Sequence, residues 1–323
     1  MTIAVDLGYG NVKLYGGAVG AQTVVLPSQV ATNGREVVHG TALEQGERPM
    51  EVRTAHGSFL VGLGAHDWGR PVENLALDRF VGTPEMRALL YGALSQYPMG
   101  HALETDLIVG LPLGVLSGEE ETVRGRVAEI RGFLQGEHRW LVDGERRSLQ
   151  VGEVKIASQA DGTLFDYLLE EDGSMPPERK QELGKEIGIL NVGFCTVDLL
   201  VARAGRTVQR FTAGDTRGVR RLLSLVGDGL YSLGELDAEL RAGTLDVDEA
   251  LPVWAREVTG LLDDQWGKSW RRFVRVIASG GGAVLLRNAL IRAFGGRLWL
   301  PESPVLATAR GLWKLAKMQS DHG

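Results

Sequence analysis

Two ten-residue stretches concentrate the side chains whose types and spacing could do chemistry. Val5-Asp-Leu-Gly-Tyr-Gly-Asn-Val-Lys-Leu14 and Leu190-Asn-Val-Gly-Phe-Cys-Thr-Val-Asp-Leu199 align at a constant offset of 185 residues. Apolar residues pair at Val5/Leu190, Leu7/Val192, Val12/Val197 and Leu14/Leu199, while Gly8 pairs with Gly193 and Tyr9 with Phe194. Each stretch reads as two short strands around a tight turn. Such a turn aims successive backbone N–H groups at one spot, and glycine lets an anion come close. Gly8, Tyr9, Gly10 and Asn11 would form one concavity, and Gly193, Phe194, Cys195 and Thr196 the other. Facing each other across a cleft, the two would hold a polyphosphate from both sides. Lys13 adds a positive charge, and the side chains of Asn11 and Thr196 add donors. Asp6, ending the first strand, suits a hydrated Mg²⁺, which keeps several waters and takes one or two carboxylates. Taken singly, either hairpin is more simply a β-turn; the duplication is what points to a phosphate site.

A third glycine cluster, Gly280-Gly281-Gly282, follows the apolar run Val276-Ile-Ala and precedes a helical pattern. Bare backbone at a strand-to-helix junction admits a flat ring or a ribose-phosphate, and a helix N-terminus favours negative charge. Alone, the cluster is equally a plain connection. No Walker lysine motif accompanies it, so a P-loop is excluded.

The elements that would position these turns mix strand and helix throughout, which makes an α/β protein. Strands are expected at about 2–6, 11–16, 23–26, 52–54, 58–61, 106–110 and 139–142. Helices are expected at 84–96, with Thr83-Pro84 at its start, and at 118–134, with Ser117 and Glu120 as a capping box. Others follow Asp161, run from about Leu245 to Trp266, and cover 283–294 and 305–318.

The 323 residues suit about two domains. A formal charge of −6 argues against direct electrostatic capture of nucleic acid or an anionic membrane. The longest uncharged apolar stretch, Leu107 to Leu116, is far shorter than the roughly 20 residues of a spanning helix. The single cysteine, Cys195, excludes an intrachain disulfide framework and fits a reducing cytoplasm. The six histidines, His39, His56, His66, His101, His138 and His322, show no ligand spacing. Cys195 reads as a small packing residue, with a redox-sensitive thiol as the sharper alternative. The clusters Arg217, Arg220, Arg221 and Arg271, Arg272, Arg275 read as solvated faces or as contacts to a neighbouring subunit.

In this order and spacing, the three glycine-bearing segments resemble the actin-type ATPase superfamily, which includes chaperone ATPases and sugar kinases. Asp6 to Lys13 is similar to its first phosphate motif, Asn191 to Asp198 to its second, and Ile277 to Ala283 to its adenosine motif. Leu26-Pro-Ser28, Phe59-Leu-Val-Gly62 with Ala65, Gly110-Leu-Pro112, Ser158-Gln-Ala-Asp-Gly162 and Ala307-Thr-Ala-Arg-Gly311 resemble the prokaryotic ParM and archaeal actin-like group. The resemblance implies an actin-like fold of two related domains, each on a mixed five-stranded sheet, around a cleft for ATP and Mg²⁺, with GTP left open. Expected boundaries are 1–159, with an insert at about 30–75, and 160–323, with an insert at about 217–272. A helix at about 160–171 would cross between them. Gln159 then matches the residue that orients the attacking water, a role of positioning more than of basicity. A solvated loop glutamine is the plainer alternative.

Asn191 departs from the pattern, because the family usually has Asp there. An amide would reach the metal only through water, and a hydrogen bond to a charged group is worth about 1.5–3 kcal/mol. The implied function is an ATPase that assembles into nucleotide-dependent filaments, serving plasmid or DNA segregation in the cytoplasm. Its partners would be further copies of itself and a DNA-binding adaptor, with no direct contact to nucleic acid or membrane. Two alternatives stay open: a nucleotide-binding scaffold that barely hydrolyses, motivated by Asn191, and a small-molecule kinase, for which Asp161 is the candidate base.

Overall fold

The structure, a computed structural model, describes residues 1–17, 23–32, 34, 48–72, 82–98 and 104–320. The chain opens with β1 (Thr2–Leu7), β2 (Asn11–Tyr15), β3 (Thr23–Pro27), β4 (Val30–Thr32), β5 (Met50–Thr54) and β6 (Gly57–Val61). After α1 (Ala65–Trp68) and β7 (Arg70–Pro71) come α2 (Pro84–Gln96), β8 (Glu104–Leu111) and α3 (Glu120–Leu134). The antiparallel pair β9 (Gly136–Val142) and β10 (Glu145–Ser158) leads into α4 (Gln159–Leu168) and α5 (Pro177–Leu183).

The second half repeats the opening with β11 (Glu186–Val192), β12 (Val197–Arg203), β13 (Arg206–Thr207) and β14 (Ala213–Asp215). Three helices follow, α6 (Val219–Val226), α7 (Leu233–Ala242) and α8 (Ala250–Trp266). The chain then runs through β15 (Arg275–Ser279), α9 (Gly281–Leu285), α10 (Arg287–Phe294), β16 (Leu298–Trp299) and α11 (Ala307–Ser320).

The duplication read from ten residues extends to whole sheets. In the first, β3-β2-β1-β8-β10 are joined by two antiparallel and then two parallel pairings. In the second, β13-β12-β11-β15-β16 repeat that order and those directions. The expected five-stranded mixed sheets are these shared cores. The first sheet continues through β9, β5, β6, β4 and β7 to ten strands, and the second adds β14 beside β12 to reach six. Because a turn joins adjacent strands, register fixes which side chains share a face. Asp6 lies opposite Lys13, and Asn191 opposite Asp198.

Each sheet has its own apolar core, one around Val5, Leu14, Leu89 and Val109, the other around Leu190, Leu199, Trp254 and Val276. Between the halves, α4 lies on the second sheet against Ile187, Ile189 and Leu200. Helix α11 lies on the first, packing Ala309, Leu312 and Leu315 against Ala4 and Ile108. The C-terminal helix thus returns to the first sheet, whereas a boundary at 159/160 assigns it to the second half. The two helices meet backbone to backbone: a Cβ on Gly311 would lie 1.8 Å from the Gly162 carbonyl oxygen. Asp166 on α4 pins this crossing, accepting from both Arg310 Nε and Nη2 at 2.6 Å and from Lys314 Nζ at 3.2 Å.

Several expected elements shift for identifiable reasons. Ser117 does not cap α3, because Gly118 adopts φ +123° and breaks the lead-in. The Ser117 hydroxyl donates to the Leu113 carbonyl instead, and the helix begins at Glu120. The helix expected after Asp161 begins two residues earlier, with Ser158 as N-cap. The long helix begins at Ala250 and not Leu245, since Asp246 turns the chain by accepting from the Asp248 amide at 3.0 Å. The segment 283–294 is two helices that break at Leu286, and the last helix is displaced to 307–320. The insert expected at about 30–75 lies partly outside the described residues, and the part described is β4 to β7 with α1. The insert expected at about 217–272 is helical, α6 to α8.

Candidate functional site

The two hairpin turns face each other, as their repetition suggests. A Cβ on Gly10 would lie 2.9 Å from Phe194 Cβ, so the tip of one turn touches the tip of the other. Between them lies a cavity of about 500 Å³, a size typical of small-ligand sites. Asp6, Gly8, Tyr9, Gly10, Asn11 and Lys13 line it from the first half, with Gln159 at its floor. Asn191, Gly193, Phe194, Cys195 and Thr196 line it from the second, with Gly280 and Gly281.

Gly282 is the exception among the expected residues. It is buried and faces the strand: a Cβ there would lie 2.3 Å from Val192 Cγ1, so its absence lets α9 pack on β11. Gly280 holds φ +87°, and a Cβ would come within 2.2 Å of the Val192 carbonyl oxygen. That position requires glycine on both counts.

The polar floor is one chain of hydrogen bonds across both halves. Lys13 Nζ lies 2.6 Å from Asp6 Oδ2, and Gln159 Nε2 donates to Asp6 Oδ1 at 2.7 Å. Asn191 Nδ2 donates to Gln159 Oε1 at 3.4 Å, and the Ser279 hydroxyl donates to Asn191 Oδ1 at 3.2 Å. Ser279 also meets the Thr163 hydroxyl at 2.6 Å. Asp6 and Gln159 are 2% and 6% exposed, which removes the solvated-loop reading of Gln159. Its place at the first residue of α4 follows from local chemistry. Ser158 accepts from the Asp161 amide at 2.9 Å, and Asp161 accepts from the Ser158 amide at 3.1 Å, a reciprocal cap. That occupies Asp161, which does not line the cavity, so the kinase alternative loses its candidate base.

Beyond the floor, Asp198 is fully buried, and among the described residues its carboxylate oxygens meet no side-chain donor. Loss of hydration pushes its pKa up to about 7, opposed by the Leu113 backbone and aided by the charge of Asp6. Cys195 is pushed up to about 11 by burial, which the nearby Arg220 only partly offsets. At neutral pH this is a protonated, weakly nucleophilic thiol, in line with packing and not redox sensing.

Sequence reasoning missed the outer wall. Asp237, Leu240 and Arg241 of α7 line the cavity, with Val284, Leu285 and Val305 opposite the first turn. Arg241 reaches across the cleft, donating to Asn11 Oδ1 at 2.9 Å and to the Gly10 carbonyl at 3.1 Å. Asp237 holds it from one helical turn away at 2.7 Å, and burial raises the Asp237 pKa against the opposing pull of Arg241. Nearby, Gln29 Nε2 donates to the Gly234 carbonyl at 3.2 Å, a second link between the halves. An Asp four residues before an Arg is the one signal the sequence offered for this wall.

The donor set suits a polyphosphate with a hydrated divalent ion. Among the described residues, no group of three or more His, Cys, Asp or Glu side chains could hold a metal without help. A single floor carboxylate, Asp6, fits an ion that keeps its waters and takes further oxygens from phosphate. No helix among the described residues is long and apolar enough to cross a membrane.

No curated protein sequence matches the chain. The family model described as the N-terminal domain of actin-like proteins matches residues 4–162. Among solved structures, the apo psk41 ParM protein is similar at TM-score 0.70 and 16% identity, over 99% of this chain and 98% of that one. An archaeal actin homologue matches at TM-score 0.72 and 18% identity, over 98% and 99% of the two chains. Its complex with ADP matches at 0.70. A 15-stranded ParM filament from Clostridium botulinum provides a third, at TM-score 0.70 and 19% identity over 98% of each chain. Residues 4–162 therefore belong to the family of actin-like proteins, and the chain over almost its whole length has the actin-like fold of ParM and archaeal actin homologues.

Proposed function

We propose that this chain binds Mg–ATP between its two halves, hydrolyses it, and assembles into nucleotide-dependent filaments that move DNA in the cytoplasm. The observation that carries this reading is the hydrogen-bonded chain Lys13–Asp6–Gln159–Asn191, which ties both phosphate turns to one floor. Gly8 to Asn11 and Gly193 to Thr196 would receive the phosphates, with Gly280 and Gly281 beneath the nucleoside. Asp6, and Asn191 through water, would hold the ion. When bound, that ion supplies charge neutralisation at the phosphate oxygens.

Gln159 would orient the attacking water, since its amide already sits between the two halves. Residues 1–159 and 160–323 would act as the two moving bodies, with α11 packed back on the first. The similarity to a filament of ParM subunits supports self-association, and the charge of −6 supports reaching DNA through an adaptor protein.

The test is sedimentation and negative-stain microscopy of the chain with Mg–ATP, Mg–GTP, Mg–ADP or no nucleotide. Filaments are expected with triphosphate only; their absence at every concentration up to precipitation rejects the reading. Gln159→Ala should retain ATP and slow hydrolysis at least about tenfold, and unchanged turnover rejects its assigned role.

A further inference from the structure

The first glycine-bearing turn is completed from the other half of the molecule. Its Asn11 lines the cavity and ends in an amide with two faces, an oxygen that repels a phosphate and an NH₂ that binds one. Which face meets the cavity depends on what holds the other. Among the described residues, that hold comes from the second half: Arg241 Nη1 donates to Asn11 Oδ1 at 2.9 Å. A guanidinium has no acceptor, so it takes the oxygen and leaves Nδ2 for the cavity.

The arginine is itself held at every nitrogen. Nε donates to Asp237 Oδ2 at 2.7 Å, and Nη2 to the Gly10 carbonyl at 3.1 Å. That carbonyl also accepts from the Ser28 amide at 3.0 Å, which fixes the tip of the turn. The Asp237 side chain is 9% exposed, so the anchor of the fork is buried. Helix α7 carries both residues and is secured at its two ends. Ser232 and Glu235 form a reciprocal cap at its start, and Gly243 closes it in the left-handed conformation at φ +73°. Its first turn is also seated on the first half. Gln29 Nε2 donates to the Gly234 carbonyl at 3.2 Å, while Gln29 Oε1 accepts from the Gly64 amide at 3.0 Å. A side chain on Gly234 would collide with the His66 ring. The placement of Arg241 over the turn is thus set by the closed position of the two halves.

We propose that Arg241 is a positioning residue for the nucleotide: it turns the Asn11 amide so that Nδ2 donates to a phosphate oxygen, and it does so only while the halves are closed. This rests on the Mg–ATP reading of the cavity. Asp237 answers the charge of the guanidinium, so the contribution of Arg241 passes through Asn11 and not through an ion pair with phosphate. A donor fixed before the ligand arrives loses no rotamer freedom on binding. With the halves apart, the amide is free to rotate and its oxygen to face the cavity, so the first half alone offers a weaker phosphate site. Through Arg241, closure of the second half is felt at a donor that belongs to the first.

The experiment is a double-mutant cycle on Mg–ATP affinity, measured by calorimetry. It uses Arg241→Met, which keeps the apolar stem and loses the donors, together with Asn11→Ala. Each single change should weaken binding at least about tenfold, since a hydrogen bond to a charged group is at stake. In the double variant the loss should exceed the larger single loss by no more than about threefold, because Arg241 has nothing left to position. Arg241→Lys keeps a donor-only group and should bind within about threefold of the parent, with far-UV circular dichroism unchanged throughout. Additive losses, about a hundredfold in the double variant, overturn the proposal, because Arg241 then acts on the nucleotide directly or by holding the halves shut. Unchanged affinity in either single variant overturns it too, as does a loss in Arg241→Lys equal to that in Arg241→Met. Each of these results leaves the Mg–ATP reading intact. Failure of the unaltered chain to bind Mg–ATP overturns both.

Discussion

The two glycine-bearing hairpin turns share strand order and register, yet their charges are distributed in opposite ways. In the first, the floor carboxylate Asp6 faces Lys13 across the strand pair at 2.6 Å. In the second, the same two positions are Asn191 and Asp198, so the acid has moved to the partner strand and has no cation partner among the described residues. A buried ion pair loses much when one member is removed, whereas a lone buried carboxyl group avoids its cost by holding a proton. Duplicated backbones therefore need not carry duplicated chemistry: the first turn holds a buried ion pair, and the second a carboxyl group whose pKa burial pushes up to about 7.

Breaking the first turn should have the largest effect. Lys13→Ala leaves Asp6 buried beside Gln159 alone, and should cost about 3–5 kcal/mol in denaturant unfolding. It should also abolish ATP binding by calorimetry. A loss below about 1 kcal/mol would show that the pair is not the source of the contrast.

The second turn should respond to pH. The folded-state pKa of Asp198, about 7, lies above the ordinary carboxyl value. From about pH 4 to pH 7 the folded chain then holds a proton that the unfolded chain has lost, so this contribution to stability falls as pH rises and levels off above pH 7. Asp198→Asn should remove that slope and raise the unfolding free energy at pH 8 by about 2–4 kcal/mol. Equal slopes in parent and variant, from denaturant titrations at pH 5 and pH 8, would count against a raised pKa at Asp198.

The glycines sharpen the same contrast at smaller scale. A Cβ on Gly8 would lie 2.7 Å from the Asn11 carbonyl oxygen, but on Gly193 only 3.3 Å from that of Thr196. Gly8→Ala should therefore cost about 1–3 kcal/mol, and Gly193→Ala less than half of that by thermal unfolding. Smallest is Asn191→Asp, which gives the second turn a floor carboxylate. Hydrolysis should rise about tenfold, the equivalent of about 1.4 kcal/mol, with a sharper Mg²⁺ dependence. No change in either would remove the case for Asn191 as a handicap, and with it the reason to weigh a non-hydrolysing scaffold.

Much of this was legible because the site is written twice. Gly8 and Gly193, or Val12 and Val197, announce one backbone design wherever their neighbours agree, and the helix at 84–96 was marked by its Thr83-Pro84 start. Strand β10 was harder to read. Its apolar residues alternate to Val151, then slip at a register shift before Val154, so the period of two is lost. The Asp237–Arg241 clasp looks like any surface pair on a helix, and only the fold puts Gly10 and Asn11 within its reach. Gly162 and Gly311 stand in quoted motifs, but their meeting joins residues 149 positions apart. Asp198 stands in the sequence only as the end of the second motif, and its lack of a side-chain partner depends on everything packed around it.

The return of α11 to the first sheet also sets a timetable for synthesis. Ala4, Tyr15 and Ile108 belong to a cluster whose other side is Ala309, Leu312 and Leu315. The first sheet is complete in sequence at Ser158, about 150 residues before its covering helix, so at 5–20 residues per second that face waits about 8–30 s in a nascent chain. The first half is thus the earliest to be made and among the last to be finished, and it is the part that a chaperone at the ribosome would have most reason to shield.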